Sequence, residues 1–207
     1  YLSPVISKGG LNQIDLTNVK KRGGEFIESD LATAASDPEL VRKTVEEIVE
    51  RSEDRKSWLV FSSGVDHAHM LANEFDYHDI EVAVIPGGDS NKVREKTIAD
   101  FKSGKIKCLI NVNVLTTGFD HPAVDVVALV RATASTGLYV QMVGRGTRIA
   151  EGKTDALILD FGSNVQRLGF IDRVKPKDKS AGVTEGKAPV KQCKSCQTMC
   201  FAAALQC

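Results

Sequence analysis

The chain has 207 residues with 27 basic and 27 acidic side chains, so it carries no formal net charge. That length holds one good core and a small appendage but hardly two full domains, and the balanced charge excludes a uniformly basic nucleic-acid binder while permitting a local basic groove. No apolar run approaches the roughly 20 residues that span a bilayer, and no charged segment followed by an apolar one opens the chain, so no membrane partner is expected.

The sequence opens at Tyr1 within an extended-looking segment, Leu2-Ser3-Pro4-Val5-Ile6, as expected of a piece whose natural start lies further upstream. From Asp37 to Ser52 the apolar residues Leu40, Val41, Val45, Ile48 and Val49 recur at helical spacing between charges. Ser36, with Glu39 three residues on and Pro38 in the first turn, is the expected start of that helix. Trp58-Leu59-Val60-Phe61 has the length and apolarity of a buried strand, and Ser62-Ser63-Gly64 leads into an amphipathic stretch with Val65, Ala68, Leu71, Ala72 and Phe75. The pattern repeats with a strand over 80–85, a turn at Gly87-Gly88-Asp89-Ser90 and a helix over 91–102. Further strands are predicted at 107–112, 124–130 and 156–159, the last running into Asp160.

Strands alternating with helices over short connections predict an α/β fold, a parallel sheet flanked by helices. In such sheets ligands gather beyond the carboxyl ends of the strands. The clusters Ser62-Ser63-Gly64, Gly87-Gly88 and Thr116-Thr117-Gly118 each follow a predicted strand, so one edge should carry all three. From about Arg173 the chain turns lysine-rich and nearly free of apolar residues, too little to offset its ordering entropy. The expected organisation is a main domain over 1–172, a basic flexible linker over 173–191 and a cysteine-rich segment over 192–207.

Gln141-Met142-Val143-Gly144-Arg145-Gly146-Thr147-Arg148 sets two arginines three residues apart beside two glycines. Guanidinium groups are always charged and present a rigid fork of donors, which suits them to phosphate oxygens. The stretch resembles motif VI, the arginine-finger motif of superfamily 2 (DEAD/DEAH-like) helicases. In the order that such a family requires, Trp58 to Ala68 resembles motif IV and Leu109 to Pro122 resembles motif V. Ile85-Pro86-Gly87-Gly88 with Arg94 and Phe101 resembles the region between those two motifs. The run from Asn111 to Asp120, Leu138 to Arg148 and Lys153 to Asp160 is similar to the RadD-like branch of bacterial and phage DNA helicases.

The resemblance implies a second RecA-like domain over residues 1–172 of an ATP-dependent DNA helicase or translocase, cytoplasmic in a bacterium or phage-infected cell and serving DNA repair or phage replication. It assigns Arg145 and Arg148 to the γ-phosphate, Gln141 to orienting the motif, Gly118 to close backbone approach and Asp120 to a ribose hydroxyl. Ser62, Ser63, Gly87, Thr116 and Thr117 would meet a nucleic-acid backbone through hydroxyls and N–H groups, without reading sequence. Read singly, each of these five is an ordinary turn or cap residue, and Asp120 a turn carboxylate before Pro122. Val112 stands where the common motif V has a threonine, so no contact is carried to it.

Neither a G-x-x-x-x-G-K-[ST] loop nor an Asp-Glu pair after a strand occurs in the chain. ATP and Mg²⁺ would therefore be held mainly by an N-terminal RecA-like domain of the same protein, and this chain alone should be inactive. Two other readings remain open: the motor of a restriction system, and a non-catalytic nucleic-acid-binding module. A Rossmann oxidoreductase is disfavoured, because no G-x-G-x-x-G follows the first strand.

Four of the five cysteines crowd the end, at Cys193, Cys196, Cys200 and Cys207, whereas Cys108 falls in a predicted buried strand. Cys193-x-x-Cys196 is knuckle-like, and its spacing to Cys207 fits a Zn²⁺ ribbon whose last cysteine lies just beyond the sequence, with Cys200 a bystander. A closed site using Cys193, Cys196, Cys200 and Cys207 fits ribbon spacing less well, and disulfides are the remaining alternative.

Overall fold

The computed structural model describes residues 2–112, 119–174 and 189–206. Strand β1 (Val5–Gly9) is followed by the small antiparallel hairpin β2 (Lys21–Arg22) and β3 (Glu25–Phe26), then α1 (Glu28–Ala35) and α2 (Pro38–Arg51). The central units are β4 (Trp58–Ser62), α3 (Val65–Tyr77), β5 (Val82–Ile85), α4 (Asn91–Lys102), β6 (Cys108–Asn111) and β7 (Val126–Val130). The chain continues through α5 (Thr136–Val143), β8 (Ala156–Asp160) and α6 (Asn164–Leu168), and closes with β9 (Val190–Gln192) and β10 (Met199–Phe201).

Six strands form one parallel sheet in the order β1-β8-β7-β4-β6-β5. Alternate residues of each strand face opposite layers. Trp58, Val60, Ile110, Ala128 and Leu159 pack with Val41, Val45 and Ile48 of α2 and with Ala68, Leu71 and Phe75 of α3. Leu59, Phe61, Leu109, Leu129 and Ile158 pack instead with Phe101 of α4, Tyr139, Met142 and Val143 of α5, and Val165 of α6. The central strands are buried along their whole length, which is why they read as unbroken apolar runs rather than alternating ones. Among the described residues no helix is long and apolar enough to cross a membrane.

The predicted helix over 91–102 is found at those bounds, and the helix that begins at Pro38 is capped one residue later than expected. Asp37 caps α2, its carboxylate accepting from the Leu40 N–H at 2.8 Å, whereas the Ser36 hydroxyl is already donated back to Ala32 at the end of α1. The opening segment is a true sheet strand, paired with β8 from Val5–Ala156 to Gly9–Asp160. The expected linker lies largely in 175–188, outside the described residues. The cysteine-bearing hairpin β9–β10 is docked rather than detached: Lys8 bridges to Thr198, the Gly9 N–H donates to the Gln197 carbonyl, and Met199 is buried in the second core layer.

Candidate functional site

The arginine motif is half helix and half turn. α5 starts from Ser135, whose hydroxyl accepts from the Leu138 N–H, and it ends at Val143, so Arg145 and Arg148 sit in the turn that follows. That placement decides where the arginines lie. A helix following a parallel strand must run back across the sheet, so the end of α5 arrives at the amino edge, near the starts of β7 and β8. Gly146 marks the contact: a Cβ there would stand 3.0 Å from Val127 and 3.1 Å from Ala156. The Thr147 carbonyl accepts from the Ser3 N–H at 2.7 Å, just before β1 begins. Because strand side chains must give way to any larger group, Gly146→Val is expected to cost about 1–3 kcal/mol of stability. Urea unfolding checks this, and an unshifted midpoint would show the turn standing clear of the sheet.

The last residues of the motif V stretch meet this turn. Arg145 Nη1 donates to the Phe119 carbonyl at 2.6 Å, and Arg148 Nη1 is paired with the Asp120 carboxylate. Asp120 and Arg148 are well exposed, at 62% and 42% of their side chains. Burial, together with the like charge of Arg148, lowers the Arg145 guanidinium, while Asp120 opposes that shift. Two cations and one carboxylate thus share a small patch on this turn. Phe119 is buried against Phe101, with His121 edge-on to Phe101, and this anchors the segment. Lys153 donates to the carbonyls of Gly146, Arg148 and Pro122 at 2.6, 2.8 and 3.2 Å. Gln141 is exposed on the last turn of α5.

The opposite, carboxyl edge carries Ser62, Ser63 and Gly87, the described residues among those assigned to nucleic acid. Ser62 and Ser63 are 0% and 4% exposed, and their hydroxyls are donated inward, Ser62 to Gly64 and Asn111, Ser63 to Val130 at 2.9 Å. The Ser63 N–H donates to Nδ1 of the buried His67 at 3.1 Å. These serines shape the turn at the end of β4, so the expectation that their hydroxyls face a phosphate is corrected: closing the strand ends takes up those groups. Gly87 is exposed just after β5. Thr116, Thr117 and Gly118 lie outside the described residues.

Two networks that the sequence did not announce, one half-buried around Glu25 and one buried around Asp160, hold the elements around α5. The Glu25 carboxylate accepts from the Thr133 hydroxyl and from the N–H groups of Ala134, Ser135 and Phe26, at 2.7 to 2.9 Å. Burial acts to raise Glu25, but these donors outweigh it and hold it below the usual carboxylate range. Asp160 accepts from the N–H groups of Gly162 and Val165 and from Asn164 Nδ2, and Arg167 donates to Gly162 and Asn164. No local pattern marks Glu25, which acts on residues more than a hundred positions away.

In the terminal hairpin the Cys193 N–H donates to Thr198 and the Cys193 carbonyl accepts from Gln197, which adopts a left-handed φ of 60°. This turn brings Cys193 and Cys196 onto one knuckle. The Cys200 thiol is directed at the Lys191 carbonyl, as suits a bystander. Among the described residues no group of three potential ligands forms, and Cys207 lies outside them. Burial pushes the Cys108 thiol up, leaving it an inert core group.

The model of the helicase conserved C-terminal domain matches residues 40–150. Irc3 of Schizosaccharomyces pombe, provisionally described as a mitochondrial ATP-dependent helicase, is 39% identical over 59% of this chain and 20% of its own length. A 51.5 kDa protein of a Lactococcus phage is 28% identical over 91% of the chain and 42% of its own length. Among solved structures, a fragment assigned to the HsdR subunit of a type I restriction enzyme from Vibrio vulnificus superposes with a TM-score of 0.62 at 24% identity, covering 83% of this chain and 34% of that one. The chain thus spans between a fifth and about two-fifths of these curated relatives. With the motif order, the six-stranded parallel sheet and the family match in agreement, the chain belongs to the helicase conserved C-terminal domain family, as the second RecA-like domain of a superfamily 2 helicase.

Proposed function

We propose that this domain supplies the arginine fingers of an ATP-dependent DNA helicase or translocase. The observation that carries the proposal is the patch at the amino edge, where Arg145 and Arg148 stand beside Asp120 on a turn packed against the sheet. Phosphoryl transfer needs charge neutralisation more than covalent chemistry, and an arginine inserted from a neighbouring domain contributes about 10³–10⁵ in rate. In this reading both guanidinium groups reach the γ-phosphate when the two domains close. Asp120 accepts a ribose hydroxyl, Gln141 steadies the last turn of α5, and Gly118 admits the nucleotide. The chain's residues fit the outer half of a nucleotide site only. Binding of the remaining phosphates and of Mg²⁺ falls to an N-terminal RecA-like domain.

Single-stranded or branched DNA would track the carboxyl edge, past the exposed backbone at Gly87 and past Thr116 and Thr117, over a turn that Ser62 and Ser63 hold in shape. The named relatives include UvrABC system protein B of Pasteurella multocida, 26% identical over 84% of the chain. RNA is the second reading, since the ATP-dependent RNA helicase ROK1 of Saccharomyces cerevisiae is 30% identical over half of the chain. ATP hydrolysis by the full-length protein with DNA or RNA added separates the two. Stimulation by DNA is expected, and stimulation by RNA alone would move the substrate. Substantial hydrolysis by this chain alone would overturn the divided-motor reading.

Cys193, Cys196 and Cys207 are assigned to a Zn²⁺ ribbon completed beyond the sequence, on the strength of the knuckle turn at Gln197. Metal analysis of a chain extended by a few residues should find one zinc per molecule, and a zinc-free, folded protein would end this assignment.

A further inference from the structure

We infer that Lys153 is a positioning residue for the arginine fingers, fastening the backbone of their turn to the segment that carries Asp120. The inference rests on the finger reading of Arg145 and Arg148. An ammonium has three N–H donors, and Nζ of Lys153 has three carbonyl acceptors around it, Gly146 at 2.6 Å, Arg148 at 2.8 Å and Pro122 at 3.2 Å. Two of these belong to the arginine turn and the third to the stretch just after Asp120. The same two segments are joined a second time through side chains, Arg145 to the Phe119 carbonyl and Arg148 to Asp120.

The two sets of contacts differ in durability. The exposed Arg148–Asp120 pair must part if Arg148 is to reach a phosphate, whereas the hydrogen bonds of Lys153 among the described residues go to main-chain carbonyls and the side chain is half-buried beneath the turn. It can hold the backbone of Gly146 and Arg148 while the guanidinium groups swing. Local geometry supports this: Gly152 takes a left-handed φ of 73° and the Lys153 N–H donates to the Ala150 carbonyl, so the chain doubles back and brings Nζ under the turn before entering β8. Burial lowers the ammonium from its ordinary range, as expected of a group whose solvent has been replaced by protein carbonyls. A guanidinium is planar and longer, and cannot direct three donors to three oxygens converging on one point.

The test uses ATP turnover by the full-length protein carrying Lys153→Met, Arg148→Ala and both together. Lys153 touches no nucleotide in this reading, so Lys153→Met should lower kcat by about ten- to a hundredfold with KM for ATP changed by less than about twofold. In the Arg148→Ala background it should cost less than about twofold more, because the guanidinium whose own backbone carbonyl Lys153 holds is then no longer there to be aimed. Lys153→Arg retains charge and fold, and should lose turnover nearly as much as Lys153→Met. Losses that multiply in the double variant, or wild-type turnover in Lys153→Arg, would overturn the inference. Full turnover in Lys153→Met beside a crippled Arg148→Ala would overturn it alone, whereas full turnover in Arg148→Ala would remove the finger reading beneath it.

Discussion

Arg148→Ala in the full-length protein is expected to lower ATP turnover by about 10³ or more while leaving nucleotide binding within a few-fold of wild type. The asymmetry follows from what the side chain does. Its value lies in meeting charge that develops on the transferring phosphoryl group, and an interaction made mainly in the transition state appears in kcat rather than in affinity. Arg148 is also the better of the two arginines to test. Its partner Asp120 is largely exposed, and an ion pair between exposed side chains contributes about 0–1 kcal/mol, so its removal leaves the fold standing. Arg145 is half-buried and donates to the Phe119 carbonyl, so its loss would mix catalysis with structure. Steady-state hydrolysis with saturating nucleic acid, beside a direct measurement of ATP affinity, checks the expectation. Unchanged turnover would sink the finger assignment.

The second large effect is on stability and is set by His67. The ring is 1% exposed, its Nδ1 accepts from the Ser63 N–H at 3.1 Å, and burial pushes its pKa from 6.5 down to about 4. A protonated ring would lose that acceptor and place a charge in the core. Between about pH 6.5 and pH 4 the unfolded chain binds a proton that the folded chain refuses, so stability falls as pH falls through this window and levels off below it. The span corresponds to at most about 3 kcal/mol. His67→Asn keeps an acceptor near the Nδ1 position without a titrating group. Urea unfolding of the two proteins at a series of pH values should therefore show a steeper decline in the wild type over that window. Glu25, held below its usual range, contributes stability that is lost at lower pH in both proteins and cancels in the comparison. Parallel curves would show that His67 is already protonated in the fold, or that the ring leaves its pocket at little cost.

The motifs and the sheet were legible from the sequence because buried parallel strands and amphipathic helices announce themselves within a few residues. Trp58–Phe61 and Val126–Val130 are apolar throughout because both faces of the sheet are covered, and Asn91–Lys102 has its own cap and period. Ser62 and Ser63 show where that reading fails. Their type and position after a strand fit a phosphate contact, but whether a hydroxyl faces solvent depends on Val130 and Asn111, which lie 67 and 49 residues further along the chain. Lys153 and Glu25 were passed over for the same reason: each takes its meaning from carbonyls or N–H groups that only folding brings within 3.2 Å of it.

By itself the sequence determined the α/β class, the order of the central strands and helices and the family, since all three rest on short-range periodicity and on motifs in a fixed sequence. The tertiary structure alone decided which edge of the sheet does what. The crossover from β7 through α5 to β8 returns the chain across the sheet, so the arginines reach the amino edge, where Phe119 to Pro122 meet them. A sequence records the order of residues, whereas a phosphate site depends on which backbones cross, and that follows from the topology of the sheet.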